Sequence, residues 1–241
     1  MRINVHAGHN PDGKVACGAI GIIRESTEAR NVKNEVIRLL KALGHTVYDC
    51  TVDNGTSANN VLTNIVKKCN AHEVDLDVSI HFNAGAKDAS GNGKTTGTEV
   101  YVYNSSSKAK PCAEKVCAAI ASLGFKNRGV KASVKLYVLR KTNAPAMLIE
   151  CCFVDDKDDV ALYDYKSMAE AIVYGITGQA YKEPVNEDRD DEASVSGAET
   201  VTGDAKAIYR VQVGAYSNKG NAETMQKKLK AAGFDAAIVK A

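Results

Sequence analysis

The chain has 241 residues, of which 44% are hydrophobic, and its formal net charge is +2 at pH 7. That length accommodates one good-sized domain and a smaller one, and the near-neutral charge without a basic stripe argues against a nucleic-acid binder. No apolar run is long enough to span a membrane, and the seven cysteines form no C-x-x-C pair that would indicate a thiolate zinc site.

Strands alternate with helices along the first three quarters of the chain. Alternating apolar residues predict strands, and apolar residues spaced three and four apart predict helices. In chain order these patterns predict a strand at 2–7, a helix at 26–43, a strand at 45–50, a helix at 57–70, strands at 75–84 and 97–104, a helix at 107–123, strands at 135–140 and 145–153, and a helix at 166–181. This order favours an α/β fold with a twisted, mostly parallel sheet flanked by helices.

The composition changes after residue 181. Residues 182–206 are acidic and contain Ser, Gly and Thr but few large apolar residues, which predicts a flexible linker. Residues 207–241 then predict a small βαβ module, with a strand at 208–215, a helix at 220–232 and a strand at 236–240. So short a module buries little core by itself, so we expect it to pair with a second copy in a homodimer or with the larger domain.

Three polar residues stand at or near strand ends in the predicted sheet. His9 follows the first strand, His81 lies near the end of the strand at 75–84, and Glu150 interrupts the apolar run PAMLIECCF. Ligand sites in such sheets lie beyond the carboxyl ends of the strands. A carboxylate in so apolar a strand is costly without a metal, a cation or a cavity, which makes Glu150 the strongest functional candidate.

A catalytic zinc needs three ligands from histidine and carboxylate, an open position for water, and a further carboxylate to carry the proton. His9, Glu25, His81 and Glu150 are the candidates. Each also has a plainer interpretation. The two histidines are compatible with hydrogen-bonded core positions, and Glu25 opens a predicted helix, where a carboxylate is favoured by the helix dipole alone.

An ordered set of motifs runs from residue 2 to about 177. It comprises GHN (8–10), GAIGIIRE (18–25), LGHTVYD (43–49), DVSIHFNA (77–84), GTEVYVY (97–103), NRGVKA (127–132) and LYVLRKTNAPAMLIECCFVDD (136–156). This set resembles the zinc-dependent N-acetylmuramoyl-L-alanine amidases of sporulation and of phage lysis. The resemblance implies that His9, Glu25 and His81 hold Zn²⁺. It implies that Glu150 is the general base and acid for zinc-activated water, which cuts the amide between N-acetylmuramic acid and L-alanine.

Two departures from the family pattern stand near the site. Cys152 occupies a position where the family usually has glycine. Three outcomes are open: the small thiol fits in place of glycine, it narrows the site, or it makes the site sensitive to oxidation. His6 stands where many members have aspartate, and it is a candidate for orienting a ligand or for simple core burial. Asn83, in the SIHFNA motif, is a further candidate for contact with substrate.

The C-terminal residues YRVQVGAYSNKGNAETMQKKLKAAGFDAAIVK resemble one half of a SPOR-type peptidoglycan-binding module. The resemblance makes Tyr209, Gln212 and Tyr216 candidates for glycan contact, beside the equal alternative that they are ordinary sheet and surface residues. Because only one half is present, wall binding is expected to need a second chain.

Other functions fit the sequence less well. A zinc peptidase that cuts within stem peptides and a non-catalytic wall-binding protein are the alternatives, and retention of all four polar residues argues against the second. The Gly-rich stretch after the first strand has no G-x-G-x-x-G, which argues against a nucleotide site. The Asp-rich stretch at 155–159 lacks EF-hand spacing and predicts a charge cluster at a helix N-terminus.

The first residues, MRINVHAGHN, contain no apolar signal region. We therefore expect synthesis in the cytoplasm without a signal peptide, followed by action on the cell wall after release. A phage endolysin and a mother-cell autolysin both fit that expectation.

Overall fold

A computed structural model of the chain describes residues 1–181, 219–231 and 236–239. The chain divides into two compact units, Met1–Glu183 and Pro184–Ala241. The predicted linker at 182–206, the predicted strand at 208–215, and Tyr209, Gln212 and Tyr216 lie outside the described residues.

The first unit is built on one six-stranded sheet. Its strands are β1 (Arg2–Ala7), β2 (Thr46–Asp49), β3 (Leu76–Asn83), β4 (Thr98–Val102), β5 (Asn127–Ala132) and β6 (Ala146–Phe153). The strand order is β2-β1-β3-β6-β4-β5, and every neighbouring pair is parallel except β4 with β6. The predicted α/β fold with a mostly parallel sheet is therefore confirmed.

Helices cover both faces of this sheet. They are α1 (Glu25–Ala42), α2 (Ala58–Cys69), α3 (Lys110–Ala121), α4 (Tyr137–Lys141), α5 (Lys157–Leu162) and α6 (Tyr165–Thr177). Met147 and Ile149 of β6 belong to a cluster shared with α1, α3 and α6, while Ala146 and Leu148 belong to a cluster shared with α2 and α4. Because neighbouring strand residues point to opposite faces, the two clusters mark the two sides of the sheet.

The strand predicted at 135–140 is wrong, because residues 137–141 form the short helix α4. Val138 and Leu139 are adjacent in sequence, and both are buried in the same hydrophobic cluster. Neighbouring residues of a regular strand face opposite ways, whereas one helical turn can bury both against one surface.

Two elements of the structure do not follow from simple periodicity. Strand β5 was not predicted, because Gly129 lies in the left-handed region at a φ of 81° and interrupts the alternation. Helix α5 begins within the Asp-rich stretch at 155–159, so the predicted charge cluster at a helix N-terminus is confirmed. The Asp156 side chain caps this helix by accepting hydrogen bonds from the backbone N–H groups of Asp158 and Asp159.

In the second unit the structure describes one helix, α7 (Lys219–Ala231), close to the predicted one. The Gln226 side chain donates a hydrogen bond to the Ala236 carbonyl at 2.8 Å. Residues 236–239 have no strand pairing with any described residue, and the predicted partner strand at 208–215 lies outside the described residues, so the strand at 236–240 stays a prediction. A strand is defined by backbone pairing with a neighbour, and the described part of this unit holds no such neighbour.

Among the helices described here, none is both long and apolar enough to cross a lipid bilayer.

Candidate metal centre

Three separate elements bring His9, Glu25 and His81 together. His9 lies in the loop after β1, Glu25 is the first residue of α1, and His81 lies near the carboxyl end of β3. One ligand atom from each of the three side chains lies within 4.8 Å of the other two. Two of the three residues predicted to converge at this edge of the sheet, His9 and His81, thus meet there together with Glu25.

Glu25 is the centre of this group. Its Oε1 lies 3.2 Å from His9 Nε2 and 3.0 Å from His81 Nδ1. Its Oε2 accepts a hydrogen bond from the Ala19 backbone N–H at 2.7 Å, which fixes the carboxylate against the Gly-rich loop. The two imidazole rings stand nearly perpendicular, with their centroids 4.9 Å apart.

This donor set fits zinc. Two nitrogens and a carboxylate oxygen that share a tetrahedral zinc with bonds near 2.0–2.1 Å lie about 3.3 Å apart. The distances from Glu25 to His9 and to His81, 3.2 Å and 3.0 Å, are close to that separation. Three protein ligands leave a fourth position for water or substrate, as catalytic zinc sites require.

The protonation of these groups also suits metal binding. Burial raises the pKa of Glu25, but hydrogen bonds with His81 and His9 outweigh it and hold that pKa well below its usual range. Burial lowers the pKa of His81, and the nearby Glu25 carboxylate only partly opposes this effect. A charged carboxylate and a neutral imidazole are the forms that ligate a metal.

Two glycines make room for the three side chains, and sequence reasoning did not assign them this role. A Cβ at Gly8 would lie 1.8 Å from His81 Cε1. A Cβ at Gly18 would lie 2.5 Å from Glu25 Oε2, and this glycine has a φ of 80°. The GH and GAIG motifs thus contain glycine where a side chain would displace a candidate ligand.

Glu150 lies beside this group on the next strand. In the pairing of β3 with β6 it is the partner of His81, so both side chains leave the same face of the sheet. Its Oε2 is buried and has no hydrogen-bond partner among the described residues. Burial, and then the charges of Glu25 and Glu99, raise the pKa of Glu150 to about 8.

His6 lies deeper on the same side. It is the partner of Ser79 in the pairing of β1 with β3, and its Nδ1 lies 3.5 Å from the Ser79 hydroxyl. Strand β1 ends at Ala7, so the strand does not run straight through to His9. His6 makes no hydrogen bond to His9, Glu25 or His81, so its part in orienting a ligand stays a prediction.

Asn83 is held by the protein at the end of β3. Its side-chain amide donates to Glu99 Oε1 at 3.0 Å, and its carbonyl oxygen accepts from the Ala84 backbone N–H at 2.8 Å. Both ends of the side chain are thus occupied, and contact with substrate stays a prediction for this residue.

Cys152 lies in the core, with no exposed surface. The pairing of β3 with β6 shifts register between His81 and Asn83, which leaves Cys151 and Cys152 opposite a single residue of β3. Burial raises the pKa of the Cys152 thiol well above its usual range. A buried, protonated thiol is a poor target for oxidation, which argues against the expected oxidation sensitivity.

The fold and this site define a class: an α/β protein with a candidate metal centre of two histidines and a glutamate at one edge of its sheet, beside a buried carboxylate. Residues 3–178 match the family model described as N-acetylmuramoyl-L-alanine amidase, and residues 190–241 match the SPOR domain. The second match begins within the segment predicted as a linker.

Curated proteins and solved structures give the same result. The chain is 36% identical over 188 residues to an uncharacterised protein of Clostridium perfringens, a match covering 78% of this chain and 52% of that protein. It is 32% identical over 177 residues to the endolysin of Bacillus phage SPP1, covering 70% and 60%. The catalytic domain of CD27L endolysin, which targets Clostridia difficile, matches with a TM-score of 0.66 and 25% identity, covering 76% of this chain and 99% of that domain.

The family match covers most of the chain, and the chain belongs to the N-acetylmuramoyl-L-alanine amidase family. It spans only about half to three-fifths of the length of the curated relatives named above.

Proposed function

We propose that this chain hydrolyses the amide bond between N-acetylmuramic acid and L-alanine in peptidoglycan, with zinc held by His9, Glu25 and His81. The observation that carries the proposal is the buried, unpartnered Oε2 of Glu150, on the strand next to His81. Membership of the amidase family supports the choice of bond.

Zinc bound at this centre supplies a Lewis acid that polarises the scissile carbonyl and makes a water molecule more acidic. The Glu150 carboxylate takes a proton from the attacking water, whose oxygen bonds to the carbonyl carbon of the lactyl group. As the C–N bond breaks, Glu150 returns that proton to the leaving nitrogen of L-alanine. The products are a lactyl carboxylate and a peptide with a free amino terminus.

The environment of Glu150 suits both halves of this proton transfer. A group that must first accept and then donate a proton works best with a pKa near the pH of the reaction. Burial raises the pKa of Glu150 to about 8, far closer to neutrality than an exposed glutamate. Within the part of the chain that the structure describes, Oε2 has no hydrogen-bond partner, so no protein group competes with a proton at that atom.

We propose that the C-terminal unit attaches the enzyme to the wall. The SPOR match at 190–241 supports this role, with Tyr209, Gln212 and Tyr216 as the candidate glycan contacts. Pairing of two chains through residues 207–241, and access to the wall by release from the producing cell, are parts of the same proposal.

Mass analysis of products from purified peptidoglycan tests the proposed bond. We expect soluble peptides that begin with L-alanine, and glycan strands stripped of peptide. Cleavage within the stem peptide would identify the alternative zinc peptidase. Binding to the wall without any released product would identify the non-catalytic alternative and contradict the proposal.

A further inference from the structure

Glu99 is a buried carboxylate beside Glu150 that the proposed reaction does not use. The two glutamates are direct partners in the pairing of β4 with β6, so their side chains leave the same face of the sheet. The side chain of Glu99 is only 2% exposed. Its Oε1 accepts hydrogen bonds from Asn83 Nδ2 at 3.0 Å and from the Tyr101 hydroxyl at 2.8 Å.

The other oxygen of Glu99 holds two cations. Its Oε2 accepts hydrogen bonds from Arg128 Nε at 2.6 Å and from Lys131 Nζ. The pKa of Glu99 is raised by burial but lowered more strongly by Arg128, Lys131 and Tyr101, so this carboxylate stays charged. The buried charge is therefore fully paired, as burial requires.

A bulge in β5 puts both cations on the same face. Arg128 and Lys131 are three residues apart, and such residues point to opposite faces of a regular strand. The pairing of β4 with β5 shifts register here, so that Glu99 faces Arg128 and Gly129 together. Gly129 has a φ of 81°, which permits the extra residue. Bulges of this kind re-aim side chains and are common beside active sites.

The network has more positive charge and more hydrogen-bond donors than Glu99 uses. Two cations surround one carboxylate, which leaves one excess positive charge. Arg128 Nη2 and two of the three Lys131 ammonium protons have no hydrogen-bond partner among the described residues. The guanidinium of Arg128 also lies 5.0 Å from the centroid of the Phe153 ring, and Lys131 Nζ lies 5.8 Å from that of Tyr101. The side chains of Arg128 and Lys131 are 29% and 38% exposed, so these donors can reach solvent or a ligand.

This face of β4 and β5 is also accessible. Helix α3 packs against the opposite face, where Val100 and Val102 join the cluster that contains Val116 and Ile120. The pair of cations thus lies on the side of the sheet that carries Glu150, and both side chains are partly exposed there.

We propose that Arg128 and Lys131, positioned by Glu99, bind a carboxylate of the stem peptide one residue beyond the scissile amide. This inference rests on the proposed function. Neighbouring strands lie about 4.8 Å apart, which puts β5 roughly 10 Å from Glu150. A peptide advances about 3.5 Å per residue, so the second residue extends from roughly 3.5 Å to roughly 7 Å from the scissile bond. The long side chains of Arg128 and Lys131 span the remaining distance.

Two synthetic probes test the proposal: N-acetylmuramoyl-L-alanyl-D-glutamate, and the same compound with both glutamate carboxylates converted to amides. Calorimetric Kd values and kcat/KM are measured for both probes with the zinc-loaded full chain. The variants are Arg128→Gln, Lys131→Gln, and the neutral triple variant Glu99→Gln/Arg128→Gln/Lys131→Gln. The triple variant leaves no buried charge unpaired, so it guards against misfolding of the single variants. Lys115→Gln, an exposed charge change on α3, is the control.

We expect the wild type and the Lys115 control to prefer the diacid over the diamide in both Kd and kcat/KM. Each variant should lose this preference by about tenfold or more, because charge-assisted hydrogen bonds to the carboxylate are lost. The ratio of diacid to diamide values within each variant is compared, because a change at Glu150 caused by Glu99→Gln affects both probes alike. Equal preference in the wild type and the triple variant would overturn the inference. If the wild type cleaves neither probe, the proposed function fails, and the ratio of Kd values still decides whether the carboxylate site exists.

Discussion

Glu25 contacts both candidate histidine ligands through a single oxygen atom, and its other oxygen is tied to the backbone of Ala19. A carboxylate so placed does more than stabilise the start of α1, since the helix dipole alone would not require two imidazoles in contact with it. Glu25 is also buried and charged, so a bound cation would neutralise a carboxylate that water does not reach.

We therefore expect Glu25→Ala to weaken zinc binding by more than about 100-fold, since changes to groups that only support a ligand already cost 10- to 100-fold. Metal analysis after dialysis against a weak chelator measures the effect. Glu28→Ala, which removes the same charge one turn further along α1, serves as the control and should retain zinc. Full zinc occupancy in the Glu25 variant would exclude this residue as a strong ligand.

The pKa of a second residue, His6, predicts how the stability of the folded protein depends on pH. Burial, and then the charge of His81, lower the pKa of His6 to about 3. In the unfolded chain His6 takes up a proton below its ordinary pKa of about 6.5, whereas in the folded protein it stays neutral. The unfolded state therefore binds more protons between pH 6.5 and 3, and stability is lost as the pH falls through that window.

Chemical unfolding of metal-free protein at several pH values measures this contribution. The free energy of unfolding of the wild type should fall more steeply than that of His6→Asn between pH 6 and 4, by about 1.4 kcal/mol per pH unit. The comparison of slopes separates the titration of His6 from any loss of core contacts in the variant. Parallel pH profiles would show that His6 titrates normally in the folded state.

At the scale of whole elements, the contact between α3 and α6 depends on a glycine. A Cβ at Gly175 would lie 2.5 Å from Val116 Cα and 2.7 Å from Val116 N. These are backbone atoms, so relief requires one helix to move away from the other. Helix α6 also packs against α1, whose first residue is Glu25, which links this contact to the metal centre.

Gly175→Ala should therefore destabilise the protein, by about 1 kcal/mol or more, as overpacked cores do. Helix propensity alone predicts the opposite sign, because alanine in a helix interior is favoured over glycine by about 1 kcal/mol. Thermal or denaturant unfolding decides between the two. A stabilised variant would mean that the helices separate at little cost.

Most elements of the first unit follow from the sequence because each has one dominant pattern. Strand β6 is an apolar run interrupted only by Glu150 and buried on both faces, and α1 repeats its apolar residues at helical spacing. The failures lie where tertiary contacts decide. The α4 segment is so short that its local sequence fits a strand as well as a helix. The bulge at Gly129 interrupts the alternation of inward and outward side chains by which β5 would be recognised.

The same distinction applies to the site. The sequence alone indicates the four candidate site residues, because each stands in a recognisable motif: His9, Glu25, His81 and Glu150. A charged residue within an apolar strand can likewise be recognised from the sequence. The network around Glu99 is not, because Arg128 and Lys131 meet Glu99 only through strand pairing and a one-residue shift in register. The space that Gly18 provides for Glu25 likewise depends on how the loop folds back.

At the scale of the whole molecule, the first unit contains the complete sheet, both hydrophobic clusters and the candidate metal centre. We expect residues 1–181 to fold alone and to cleave a small soluble probe at the rate of the full chain. Their rate on intact cell walls should fall about tenfold or more, because attachment by the second unit raises the local concentration of substrate.

Wall-binding assays and light scattering on the full chain and on residues 1–181 test whether the second unit is responsible for attachment and pairing. The full chain should sediment with purified walls and behave as a dimer, and residues 1–181 should do neither. Equal binding of both forms to the wall would assign attachment to the first unit, and a monomeric full chain would contradict pairing through residues 207–241.

The most direct test of the central claim is the rate at which zinc-loaded Glu150→Gln releases peptides with a new N-terminal L-alanine from purified peptidoglycan. Glutamine keeps the size of the side chain and removes its ability to carry the proton. The account predicts about one bound zinc, as in the wild type, and a rate lower by about 10²- to 10⁴-fold. A variant that binds zinc and releases these peptides at the wild-type rate would contradict it.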